Sequence, residues 1–487
     1  MPSGEKPVTL PPARLATCDY QWVDWTPQAV AEATGGTVIS ADRDDRDWLG
    51  VRIESVIIDS RLANGGELFV AIKAERNGHQ FVRAAVEAGA AAVMLDDDER
   101  LESLGVPAVV VEDTRAGLLA LGSAARARLP GEVVGITGSV GKTSTKDLAA
   151  AALAVARTVS ASERSFNNEL GVPLTLANAS LETEVTVVEM GARGPGHIAL
   201  LCRVARPTIA VVTSVAVAHT EAFRTLDNVA AAKAELVESL PSEGTAILNA
   251  DDDRVAAMAT RTRAGKLFYS VSNDRADLLA ADIRLDDELR PRFMARTPWG
   301  RADVVVGARG AHQVPNALAA LAVACVCGVP LEAAASGLAG ASLSPWRMEL
   351  TRTAAGGLLL NDAYNANPAS MKAALESLAA LPASRRIAVL GEMAELGDRS
   401  TDEHLAVAVL ADRFGIEILP LGTDLYGRRP AEGIDEAERL LGELGPGDAV
   451  LVKASRVAGL ERLASRLSGN SPEKDETSGA ASASQPR

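Results

Sequence analysis

The sequence predicts an α/β protein of three successive units, each a largely parallel sheet with helices on its faces. Three observations carry that expectation. Short apolar runs alternate with helical patterns along most of the chain. The runs in the middle third are apolar at consecutive positions, as strands covered on both faces are. A glycine-rich segment at 135–145 joins one such run to an Ala/Leu-rich helical stretch.

The first unit begins at Trp22. Residues 56–58 and 68–71 read as strands, 81–88 as a helix stopped by Gly89, and 90–95 and 108–111 as further strands. It closes near Pro130. The second unit enters through Val133 and Val134 and has strands at 185–188, 209–212 and 246–248. A charged stretch at 274–301 carries a hairpin turn at Trp299-Gly300, and a helix at 316–327 leads to a boundary near Ser344-Pro345. The third unit has strands at 358–360, 387–390, 417–421 and 449–452, a small doubly wound pattern of Rossmann-like type. The expected division is 22–130, 131–345 and 346–468, with a flexible extension at 1–21. A disordered tail is expected at 469–487, which is rich in Ser, Ala and Glu and lacks apolar periodicity.

Composition narrows the function classes. The 487 residues have room for about three domains. Aromatic residues make up only 3%, so Ala, Val and Leu must fill the cores. A net charge of −15 argues against nucleic-acid binding driven by phosphate contacts. Cys18, Cys202, Cys325 and Cys327 fit neither a disulfide framework nor a zinc site, and the last two read as small buried apolar residues. The first eighteen residues lack the apolar core of a signal peptide, and no apolar stretch reaches the roughly 20 residues of a membrane span. A soluble cytoplasmic protein without a membrane span is expected.

The segment Gly135-Ile-Thr-Gly-Ser-Val-Gly-Lys-Thr-Ser-Thr145 predicts a loop that cradles phosphates. It follows a strand and opens a helix, so backbone N–H groups and the helix dipole point at an anion. Lys142 would reach the outer phosphates of a nucleoside triphosphate and the Thr143 hydroxyl would bind Mg²⁺. The glycines stand at 135, 138 and 141, whereas the usual spacing calls for one at Ile136. The central unit is therefore read as a phosphate-loop, ATPase-like sheet.

Other polar groups sit at strand ends, where open α/β sheets bind ligands. Glu189, past the strand 185–188, is placed to hold Mg²⁺ or is simply a surface glutamate. His219 follows the strand 209–212 and is either functional or structural. Lys233, in a helical stretch at 228–240, reads first as a solvated helix position. Asn167-Asn168 stand before Gly171-Val-Pro173, as a turn or as a phosphate or sugar contact. Asp362-Ala-Tyr364-Asn365-Ala-Asn367-Pro368 lies between a strand and a helix, as a ribose or base site or as a capping loop.

Taken together, these segments resemble the Mur ligase family, the ATP-dependent amide ligases of peptidoglycan precursor synthesis. The resemblance spans 22–468. Its most specific pieces are Asp362-Ala-Tyr-Asn-Ala-Asn-Pro-Ala-Ser-Met371 and Gly391-Glu-Met-Ala-Glu-Leu-Gly397. Asp59-Ser60-Arg61, Gly66-Glu-Leu-Phe-Val-Ala71 and Phe166-Asn-Asn-Glu-Leu-Gly-Val-Pro173 support them. Thr137-Gly-Ser-Val-Gly-Lys-Thr143 is the family's own form of the loop, which accounts for the displaced glycine.

The resemblance implies an N-terminal UDP-sugar-binding unit, a central ATP-binding unit and a C-terminal ligase unit. It implies ATP held by Thr137, Gly138, Ser139, Val140, Gly141, Lys142, Thr143, Ser144, Asn316, Arg347, Asp362, Tyr364 and Asn367. Asn316 ends the adenine-side motif His312-Gln-Val-Pro-Asn316, where Pro315 is atypical. It implies Mg²⁺ on Thr143 and Glu189, a second Mg²⁺ joined by His219, and a carbamylated Lys233 serving a metal. Lys142, His219 and Lys233 are thus the expected catalytic set. Ser60, Arg61 and Asn168 are the expected substrate contacts, the first two at the UDP end. Lys453 and Ser455-Arg456 are candidates for a dipeptide carboxylate. The implied partners are UDP-N-acetylmuramoyl-tripeptide and D-alanyl-D-alanine, joined through an acyl phosphate by a monomeric enzyme. The family's diamino-acid-adding members carry an Asp-Asn-Pro-Arg motif that is missing here. The alternatives are another Mur-type ligase or an ATPase that joins nothing.

Overall fold

The computed structural model describes residues 25–39, 50–96, 104–163, 165–216, 223 and 225–469. The expected extension at 1–21, His219 and the tail beyond Gly469 lie outside the described residues.

The first sheet contains β1 (Thr37–Ile39), β2 (Ser55–Ile57), β3 (Glu67–Val70), β4 (Ala92–Leu95) and β5 (Ala108–Val110), in the order β1-β5-β4-β3-β2. All pairs are parallel except β1 with β5. The expected helix at 81–88 divides into a 3₁₀ turn, Gly78–Phe81, capped by the Asn77 side chain, and an α-helix, Val82–Glu87. The helix Thr114–Arg128, started by Asp113, then leads into the second sheet.

That sheet has nine strands: β6 (Glu132–Thr137), β7 (Val159–Ala161), β8 (Val185–Glu189), β9 (Ile209–Val212), β10 (Thr245–Asn249), β11 (Gly265–Ser270), β12 (Leu278–Leu285), β13 (Pro291–Thr297) and β14 (Gly300–Val305). Their order is β14-β13-β12-β11-β10-β9-β6-β8-β7. The chain moves from β6 to β7 and β8 on one side, then to β9 and β10 on the other. The carboxyl end of β6 is therefore the switch point where such sheets open a crevice. Strands β6, β8 and β9 are buried at consecutive positions, matching their continuous apolar sequences. By contrast β13 alternates buried and exposed residues and pairs antiparallel with β12 and β14, with the expected hairpin turn at Trp299.

Against this sheet lie the helices Lys142–Ala154 and Gln313–Val326, the second buried along nearly its whole length. Small residues let them approach closely. A Cβ on Gly337, in the adjacent helix Leu331–Ala339, would stand 2.5 Å from the Ala151 carbonyl oxygen. Pro315 occupies the third position of its helix, in the first turn, where the missing N–H costs no helical bond. Cys325 is buried as expected, whereas Cys327 is only half-buried.

The third sheet contains β15 (Glu349–Arg352), β16 (Leu358–Asn361), β17 (Arg385–Leu390), β18 (Glu417–Pro420) and β19 (Asp448–Lys453), ordered β15-β16-β19-β17-β18. Only β15 runs antiparallel. The junction with the second sheet is tied down where Ser344 N–H donates to Asp147 Oδ2 at 2.7 Å, on the helix that follows the glycine loop.

Candidate active site

A cavity of about 1020 Å³ lies at the carboxyl ends of the central strands and is closed on one side by the third sheet's loops. The glycine loop forms its floor. Gly138 and Gly141 have φ of +153° and +86°. A Cβ at Gly138 would meet Thr213 Oγ1 at 1.8 Å, and one at Gly141 would meet Asn316 Oδ1 at 2.6 Å, so only glycine fits at either position. The loop is braced from the end of β9: Ser139 N–H donates to the Ser214 carbonyl at 2.8 Å and Val140 N–H to Ser214 Oγ at 3.1 Å. The helix starts at Lys142, earlier than its apolar pattern suggests, and no side chain caps it. Its first-turn N–H groups are left for an anion.

Lys142 curls over the loop, donating to the Gly138 carbonyl at 2.9 Å. Burial lowers its pKa, with Glu189 opposing and Arg347 adding to the shift. Thr143 Oγ1 donates to Glu189 Oε2 at 2.7 Å, and Asn167 Nδ2 donates to Glu189 Oε1 at 2.8 Å. A hydroxyl and a buried carboxylate at this spacing suit a hard divalent cation. Among the described residues no group of three His, Cys, Asp or Glu is placed to hold one. Phosphates and water would therefore complete the shell, which fits Mg²⁺ better than an all-protein cage.

Lys233, on the helix Leu226–Glu238, is buried rather than solvated and lines the same cavity. Burial, and secondarily the charge of Lys142, hold its pKa well below the ordinary lysine value. It makes no hydrogen bond or ion pair among the described residues.

Arg347 reaches across from the third unit. Its Nη2 donates to Thr143 Oγ1 at 2.9 Å and to Ser165 Oγ at 3.1 Å, and its guanidinium stacks on Tyr364 at 4.1 Å. Its neighbours Trp346 and Met348 both have left-handed backbones, φ +61° and +53°. Bulky residues adopt that region only when their surroundings hold them there. Here Trp346 N–H donates to Glu349, Tyr364 N–H to the Trp346 carbonyl, and Met348 N–H to Asp362 Oδ1.

Several expected contacts turn out to be engaged within the protein. Asp362 pairs with Lys453, which also donates to the Asn365 carbonyl at 2.7 Å. Asn367 caps the helix Pro368–Ala380 in a reciprocal box with Ser370. Asn168 Oδ1 accepts from Leu170 and Gly171 N–H at the start of the helix Gly171–Ala177. Ser455 Oγ accepts from Ala394 N–H at 2.7 Å, and Arg456 pairs with Glu461. Ser60 and Arg61 form a turn after β2 and do not line the cavity; Arg61 is paired with Asp59. Asn316 is buried beside the loop. Ser165 and Trp346 carry no sequence signal of their own, and Gln313 only its place inside the motif 312–316, yet all three line the cavity.

Residues 136–324 match the Mur ligase middle domain, and residues 346–456 match the Mur ligase, glutamate ligase domain. The chain belongs to the Mur ligase family. Among its relatives in that family is the UDP-N-acetylmuramoyl-tripeptide–D-alanyl-D-alanine ligase of Mycobacterium tuberculosis, 38% identical across 91% of this chain and 98% of the relative. The enzyme of the same name from Escherichia coli is 35% identical across 86% and 95%. Two solved Mur ligases superpose closely. MurF from Acinetobacter baumannii has a TM-score of 0.77 at 28% identity, covering 92% of this chain and 99% of that one. MurF ligase from Thermotoga maritima, solved in complex with ADP, has a TM-score of 0.73 at 27% identity, covering 85% and 97%. The Mur ligase likeness thus takes in all three sheets, and the glycine loop and Arg347 both fall inside the matched domains.

Proposed function

We propose that this Mur ligase joins D-alanyl-D-alanine to UDP-N-acetylmuramoyl-tripeptide, using ATP, in peptidoglycan precursor synthesis. The observation that carries the reading is the Thr143–Glu189 contact beneath a glycine loop, in a cleft roofed by Arg347 from the next unit. The near full-length similarity to enzymes of that name supports it.

The peptide's terminal carboxylate attacks the γ-phosphorus of ATP, giving an acyl phosphate and ADP. The deprotonated amine of the dipeptide then adds to the acyl carbon. The tetrahedral adduct expels phosphate and leaves an amide. Two anions must meet in the first step, so the site supplies positive charge: Lys142 over the loop, Arg347 opposite it and the first-turn N–H groups. Mg²⁺, when bound, neutralises phosphate charge; Thr143 and Glu189 would hold one ion, His219 would join a second, and a carbamylated Lys233 would serve a metal. Lys142, His219 and Lys233 form the proposed catalytic set. Thr137 to Ser144, Asn316, Arg347, Asp362, Tyr364 and Asn367 surround ATP, and Ser60, Arg61 and Asn168 contact the sugar nucleotide. The roof over the cleft keeps water from the acyl phosphate.

The same reading divides the chain at 22–130, 131–345 and 346–468 and has it act as a cytoplasmic monomer. No helix among the described residues is long and apolar enough to cross a membrane. The deciding experiment measures phosphate release with each acceptor omitted in turn. Release that needs both UDP-N-acetylmuramoyl-tripeptide and D-alanyl-D-alanine is expected; release indifferent to both would leave only an ATPase.

A further inference from the structure

Asn316 has both amide hydrogens committed. Its Nδ2 donates to the His312 backbone carbonyl at 3.3 Å and to Gln313 Oε1 at 2.9 Å, while its Oδ1 accepts from Thr145 Oγ1 at 3.2 Å. A backbone carbonyl only accepts, so turning this amide over would set two oxygens against each other. Gln313 must therefore show Oε1 to Asn316. Its own Nε2, a pure donor, then lies 3.0 Å from His312 Nε2. Two donors cannot share that contact, so His312 Nε2 carries no proton and the ring hydrogen sits on Nδ1. Gln313 is 1% exposed, which keeps water from replacing either bond. His312 lines the cleft, and its Nδ1 has no partner among the described residues. Burial keeps the ring neutral.

We propose that Gln313 is a positioning residue that fixes His312 as the Nδ1–H tautomer, so that the nucleotide meets a donor at His312 and only an acceptor at Asn316. The relay runs from a backbone carbonyl through two amides to a ring nitrogen. It rests on the nucleotide-binding reading of this cleft, and it makes Gln313 a determinant of ATP affinity without contact to the phosphates.

The test reads the tautomer directly. The chain has five histidines, and side-chain ¹⁵N resonances of the ligand-free protein can be assigned to His312 by their loss in His312→Gln. The expected wild-type spectrum shows a bare Nε2 and a protonated Nδ1. Gln313→Glu, which offers only acceptors, should bring a proton to Nε2. Gln313→Leu should raise KM for ATP about fivefold, the worth of one hydrogen bond, with the loss in KM rather than kcat. A protonated Nε2 in the wild type, an unchanged His312 spectrum in Gln313→Glu, or an unchanged KM in Gln313→Leu would each overturn the proposal. The spectra need no substrate, so a failed relay is separable from a failed ligase assignment, which phosphate release reports.

Discussion

Arg347 Nη2 and Thr143 Oγ1 lie 2.9 Å apart, joining the third unit to the first turn of the loop helix across 204 positions of sequence. The arginine is aimed by two left-handed neighbours, so its reach is built into the backbone. We expect Arg347→Ala to lower kcat by about 100-fold, the scale of losing one preorganised charge in a reacting site. Arg347→Lys should recover only part of it, because a lysine cannot keep both the Tyr364 stack and the fork to Thr143 and Ser165. Steady-state phosphate release checks this, and full activity in Arg347→Ala would remove the arginine from the mechanism.

Lys142→Ala should abolish turnover while sugar-nucleotide binding survives, since the first sheet lies outside the loop. Calorimetric titration with UDP-N-acetylmuramoyl-tripeptide beside a kinetic assay separates the two. Retained turnover would show that another group carries the phosphate charge.

Lys233 combines deep burial with a pKa held well below the ordinary lysine value, so its amine gives up its proton more readily than a solvated lysine does. A neutral amine is what carbon dioxide requires to form a carbamate. Lys233→Ala should therefore lose activity and regain part of it in acetate or formate, whereas Lys142→Ala should not respond. Acidified wild-type protein should also lose the mass of one CO₂. The absence of rescue together with an unmodified mass would rule the carbamate out.

How much of the fold and site was legible in the sequence follows from what each residue depends on. β6, β8 and β9 declared themselves because parallel strands buried on both faces are apolar at every position. β12 to β14 showed only as a charged stretch with a turn, because one of their faces meets solvent. Gly138, Lys142 and Thr143 could be read from spacing, since the loop is local in sequence. Ser165 could not, being a small polar residue that gains meaning only when Arg347 arrives beside it. Nor could the left-handed Trp346 and Met348, whose residue types argue against that conformation. Lys233 looked like a solvated helix position because lysines usually are, although Val229, Leu236 and Val237, four before it and three and four after it, put it on the buried face of the helix.

Asn367 is proposed at the nucleotide and lines the cleft, while its Oδ1 also accepts from Ser370 N–H at 2.9 Å and starts a helix. Asn367→Asp keeps that cap and Asn367→Ala removes it. The alanine variant should cost about 1 kcal/mol of stability. A cap alone predicts that KM for ATP stays near wild type in both variants. A rise in KM with thermal stability unchanged would instead assign the side chain to the nucleotide.

His312 gives the stability of this fold a pH dependence with a definite sign. Burial pulls its pKa from the ordinary 6.5 down to about 4, opposed by Asp362 and aided by Lys453. The unfolded chain therefore binds the proton first as pH falls. Stability is unaffected by this group above about 6.5, is lost progressively between 6.5 and 4, and stays lost below that. The loss attributable to His312 is of order 1–3 kcal/mol, because each tenfold difference in proton affinity between the folded and unfolded chain is worth about 1.4 kcal/mol. The wild-type melting temperature should fall on moving from pH 7 to pH 5, and His312→Gln, which cannot take up the proton, should fall less. Parallel melting curves for the two proteins across that range would show that the folded ring protonates as readily as the unfolded one.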